Sequence, residues 1–175
     1  MIDVSPRARA GLRRTGILVL LSAIAISAVA APPTLIGRDA PDFALKGLDG
    51  TNLRLSEYRG RVVLINFWAR WAGDTRVEMP ALGRIDTTYR RAGLVVLGVS
   101  IDADAARAAE FATAMHVSYP TLLDTLELTG REYAIRRLPT TVLVDRSGVV
   151  RYVSTGFKHG DERMLVDQIH QLLRE

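Results

Sequence analysis

The chain has 175 residues, 48% of them apolar, a formal net charge of +4 and no cysteine. That length suits one domain plus a targeting segment, and the missing thiols exclude disulfides, thiolate nucleophiles and thiolate metal sites. Arg7, Arg9, Arg13 and Arg14 against Asp3 place most of the charge in the first 30 residues, leaving about +1 for the remainder, too little for a phosphate-tracking surface, so no nucleic-acid partner is expected.

The basic stretch Arg7 to Arg14 leads into an apolar run from Ile17 to Ala31 that ends in Ala28-Val29-Ala30. A basic region, a short apolar core and a small-x-small site describe a secretory signal, with cleavage expected after Ala30. The alternative is an uncleaved N-terminal anchor that tethers the chain through residues 15–31, although the apolar run is shorter than the ~20 residues a relaxed span needs. Either reading exports the protein, to the periplasm or the outer face of the cytoplasmic membrane. Residues 31–36 then form a linker, stiffened by Pro32 and Pro33, and 37–175 form the domain.

Phe43 to Leu45 and Thr51 to Leu53 read as a hairpin across Leu48-Asp49-Gly50. Ser56 to Arg59 suits one helical turn. Val62 to Trp68 reads as a continuous apolar run, the pattern of a strand buried on both faces. A helix is predicted over Thr75 to Arg91, with Leu82, Ile85 and Tyr89 inward and Pro80 inside it. Leu94 to Ile101 is the next buried strand, and Ala103 to Met115 the next helix, opened by Asp102 and Asp104 as caps. Thr125 to Tyr133 suits a short helix. Thr141 to Val144 and Val149 to Val153 form a second hairpin around Asp145-Arg146-Ser147-Gly148, and Asp161 to Leu173 is an amphipathic helix with Leu165, Ile169 and Leu172 inward. The order predicts an α/β fold with a mixed central sheet flanked by helices.

The segment Ile65 to Pro80, with Phe67-Trp68-Ala69-Arg70-Trp71 ahead of Ala72-Gly73-Asp74-Thr75 and with Glu78 and Pro80 one turn on, resembles the active-site segment of thioredoxin-like proteins. It is most similar to envelope disulfide reductases of the TlpA/ResA type within the AhpC/TSA and redoxin group. Gly37 to Phe43, Leu55 to Val63, and Leu138-Pro139-Thr140-Thr141 followed by Val142 to Asp145 resemble three further motifs of that group, so the likeness covers the chain from about Leu35 onward. It implies a thioredoxin-like fold with an N-terminal hairpin extension. It also implies that Pro139 follows a cis peptide bond. The backbone of Leu138 would then pair with an extended substrate segment, beside Trp71.

The departure from the family is at its two cysteines, whose positions hold Ala72 and Thr75. Alanine has no nucleophile, and a helix N-terminus does not ionise a threonine hydroxyl near neutral pH. No catalytic residue is therefore expected at Ala72, Gly73, Asp74 or Thr75. Thr75 and Glu78 have the Thr-x-x-Glu spacing of a capping box, and Trp68 reads as core. The peptide-binding candidates are Trp71, Ala72, Leu138, Pro139 and Thr140. His116, His159 and His170 lack metal-ligand spacing, so neither a metal nor a cofactor is expected.

Three functions are compatible with these residues. The first is a redox-inactive envelope protein that binds a protein partner or an extended peptide, or assists folding. The second is a thiol-disulfide oxidoreductase or antioxidant redoxin that works without its own cysteines, for example by positioning a small thiol. The third is a structural paralogue with no distinct ligand.

Overall fold

The computed structural model describes residues 34–175. The expected signal or anchor, and the first residues of the linker, lie outside them. Among the described residues no helix is long and apolar enough to cross a membrane.

Seven strands form one mixed sheet. They are β1 (Ala44–Gly47), β2 (Asn52–Arg54), β3 (Val62–Trp68), β4 (Leu94–Ser100), β5 (Thr121–Leu123), β6 (Thr140–Val144) and β7 (Val150–Thr155). Their spatial order is β2-β1-β5-β4-β3-β6-β7. The β3–β4 and β4–β5 pairs are parallel, and the others are antiparallel. The helices are α1 (Thr75–Tyr89), α2 (Ala105–Ala114), α3 (Leu128–Glu132) and α4 (Asp161–Arg174), with single 3-10 turns at Leu55–Tyr58 and Arg90–Ala92.

All seven residues of β3 are buried, as their apolar run requires. Alternation along the strand sends Val63, Ile65 and Phe67 into one core layer with Phe43, Leu97 and Tyr133. Val62 and Leu64 enter the opposite layer, with Leu82 and Ile85 of α1 and Leu165, Ile169 and Leu172 of α4. Each such side chain contributes roughly 1.5–3 kcal/mol by leaving water. Asn66 lies on this second face, so a polar side chain is delivered beneath α1.

Two sequence expectations need correction. The short strand β5 was not predicted. It follows Pro120, has three residues and no alternating pattern, and exists because β4 and β1 supply backbone partners on its two sides. Through it the first hairpin joins the main sheet. The second correction concerns α2, which starts at Ala105 and is capped by Asp104 alone, whose carboxylate accepts from Arg107 N–H at 3.1 Å. Asp102 is buried at the end of β4, where it accepts from the Arg70 N–H at 2.9 Å and faces the Arg70 guanidinium at 3.6 Å. It anchors the turn that leaves β3.

Candidate functional site

The last β3–β6 pair is Phe67 with Thr140. The segment after Trp68 and the segment before Thr140 therefore leave the sheet side by side at one end. Trp68 itself is fully buried and stacks on Phe111 of α2 with ring centroids 5.6 Å apart. Its backbone carbonyl accepts from Ile101 N–H, and the chain then turns outward. Trp71 is 67% exposed.

The turn from Ala72 to Thr75 closes locally. Ala72 N–H donates to the Ala69 carbonyl and Thr75 N–H to the Ala72 carbonyl, both at 3.1 Å. Ala72 and Thr75 are buried, Gly73 is exposed and Asp74 is half-buried. The expected capping box does not form. Asp74 already has helical dihedrals (φ −66°, ψ −19°), no side chain caps α1, and Thr75 Oγ1 is buried without a partner. Glu78 is drawn away from the helix start because it faces the sheet, where two donors wait. Its carboxylate accepts from Asn66 Nδ2 and from Thr141 Oγ1, each at 2.7 Å. Burial pushes the Glu78 carboxyl up to about 7, against the opposing pull of these two hydrogen bonds, and the nearby Asp74 charge adds to the rise.

The Leu138–Pro139 peptide bond is cis. Pro139 is buried, and its carbonyl accepts from Gly156 N–H at 2.8 Å. Thr140 is buried, and its hydroxyl donates to the Arg137 carbonyl at 2.6 Å. Leu138 is half-buried, and among the described residues neither its N–H nor its C=O takes part in a hydrogen bond. A third segment completes the site. A Cβ on Gly156 would lie 3.6 Å from Asp74 Oδ2 and 3.8 Å from an Arg137 guanidinium nitrogen, so the loop after β7 meets both other loops.

The structure thus gathers Ala72 to Thr75 and Leu138 to Thr140 at one end of the sheet, with Trp71 projecting from the same turn. Asn66, Thr141 and Gly156 were missed as site residues. The one available signal was Asn66, a polar residue in an otherwise apolar buried strand, which requires a partner.

The AhpC/TSA family model matches residues 36–153. The chain belongs to the AhpC/TSA family. Within this family its relatives are thioredoxin-like and of the ResA type. The thiol-disulfide oxidoreductase ResA of Geobacillus kaustophilus is 32% identical over 150 residues, covering 83% of this chain and 86% of the relative. The thioredoxin-like protein YneN of Bacillus subtilis is 33% identical over 122 residues, covering 69% and 71%. A crystal structure from Chlorobium tepidum, assigned as a thiol:disulfide interchange protein DsbE, superposes with a TM-score of 0.76 at 34% identity, covering 79% of this chain and 97% of that one. The exposed lipoprotein thioredoxin of Streptococcus pneumoniae superposes with a TM-score of 0.68 at 25% identity, covering 75% and 100%. This AhpC/TSA chain keeps the family's fold but holds alanine and threonine at the redox positions, so its own side chains offer no dithiol to oxidise or reduce.

Proposed function

We propose that this chain is an exported thioredoxin-like protein that has lost its dithiol chemistry and retains a noncovalent hold on extended polypeptide. The observation that carries the reading is the backbone N–H and C=O of Leu138, without partners among the described residues, at the end of the sheet that also presents exposed Trp71. An extended peptide satisfies such a pair by adding main-chain hydrogen bonds, and an exposed indole supplies apolar contact area beside them. Burial of Thr75 and replacement of both cysteines leave that surface without a nucleophile. Export rests on the basic and apolar N-terminal segment, and the likeness to an exposed lipoprotein thioredoxin supports it.

The test has two arms on the purified protein. Insulin reduction with dithiothreitol is expected to proceed at the rate of the reductant alone. Titration with unfolded, cysteine-free polypeptide is expected to shift the Trp71 fluorescence and to lose that response in Trp71→Ala. Turnover above the reductant would sink the loss of chemistry, and a flat titration would sink the binding role.

A further inference from the structure

We propose that the segment held at the Leu138 edge is acidic. This rests on the peptide-holding role of that edge and names the chemistry of its occupant.

The charges around the three converging loops are lopsided. Arg136 and Arg137 immediately precede Leu138, and both are exposed. The Arg137 guanidinium reaches the Gly156 turn. Arg76, in the first turn of α1, lies with its guanidinium carbon 4.7 Å above the Phe111 ring. Lys158 is exposed two residues beyond Gly156. Among the described residues none of these four cations meets a carboxylate within 4 Å, whereas Arg70 on the same side is paired with Asp102. Two carboxylates oppose them at the rim: Asp74, half-buried beside Arg137, and Asp161, which accepts from the Lys158 N–H at 2.9 Å. Subtracting the N-terminal segment's four arginines and one aspartate from the chain's net +4 leaves about +1 for the domain. Four of its carboxylates, Glu78, Asp86, Asp102 and Asp124, are buried, so its surface is more basic than that balance.

Such an arrangement selects by sign. An acidic strand alongside Leu138 places carboxylates against Arg136, Arg137 and Lys158, whereas a basic strand meets like charge. Exposed charges give most of their effect at low ionic strength.

The experiment uses the full chain in nonionic detergent, because residues 17–31 are apolar, and three fluorescent eight-residue peptides. They differ only at alternate positions, which carry Glu, Gln or Lys. By anisotropy at low salt the Glu peptide is expected to bind about tenfold more tightly than the Gln peptide, with the gap shrinking to about twofold at 0.5 M salt. Arg136→Gln with Arg137→Gln should remove most of that preference and leave the Gln peptide bound as before. Arg163→Gln with Arg174→Gln, on exposed positions of α4, should change nothing. Equal binding of the Glu and Gln peptides overturns the acidic preference and leaves peptide binding standing, whereas binding of none of the three overturns both. An equal loss in the α4 pair, tighter binding of a single-stranded oligonucleotide, or self-association that displaces the peptide also overturns the proposal.

Discussion

Glu78 of α1 accepts a 2.7 Å hydrogen bond from the hydroxyl of Thr141 on β6, and the pair ties the first helix to the sheet directly beneath the redox positions. Asn66 of β3 completes the cluster with a second 2.7 Å bond to the same carboxylate. An acid in this place is held for its geometry at some cost in stability, and that cost depends on pH.

The Glu78 carboxyl titrates at about 7 in the folded protein, against an ordinary value of 4.5. The folded state therefore binds this proton more tightly than the unfolded one. Its contribution to stability is greatest below pH 4.5, declines as pH rises through the window to 7, and above 7 is lower by about 3 kcal/mol. Glu78→Gln keeps the shape and removes the titration. Urea unfolding of both proteins at pH 5 and pH 8 is expected to show the variant gaining on the parent at the higher pH. A constant difference between them at the two pH values would count against a raised Glu78.

Thr141→Val keeps side-chain volume and deletes the hydroxyl that donates to Glu78. A buried carboxylate left with one donor in place of two loses about 1–3 kcal/mol at pH 8, and much less at pH 5, where the group is protonated. Thermal melts at the two pH values measure this, and equal losses would show that the hydroxyl does not serve the charged form.

Restoring sulfur tests whether the scaffold is otherwise complete. Ala72→Cys with Thr75→Cys places two thiols at the start of α1, where unpaired N–H groups and the helix dipole favour a thiolate. The double variant is expected to reduce insulin faster than dithiothreitol alone. Thr75→Cys by itself supplies no pair to cycle and should stay at background. A double variant that folds yet stays at background would show that more than sulfur has been lost.

The two tryptophans should separate cleanly. Trp68→Ala empties a fully buried site against Phe111 and is expected to cost about 3–5 kcal/mol. Trp71→Ala removes an exposed ring and should change stability by no more than about 0.5 kcal/mol. Denaturant midpoints for the two variants decide this, and a large loss in Trp71→Ala would make that residue a packing element.

Much of the fold was legible because its signals are local. The apolar run of β3, the turn residues around Gly50 and Gly148, and the stripe of Leu165, Ile169 and Leu172 each follow from backbone geometry and burial within one element. Glu78 was misread for the same reason. Its spacing from Thr75 fits a cap, and only the approach of Asn66 and Thr141, 12 residues before it and 63 after, shows why the side chain turns inward.

The sequence alone settles that this chain's own side chains supply no thiol, since that is a matter of which atoms are present. Folding decided what stands in the vacated place: a buried hydroxyl on Thr75, an acid clamped between two strands, and a Leu138 backbone that has no hydrogen-bond partner among the described residues. Those facts depend on residues far apart in the chain meeting at one end of a sheet, which no local pattern encodes.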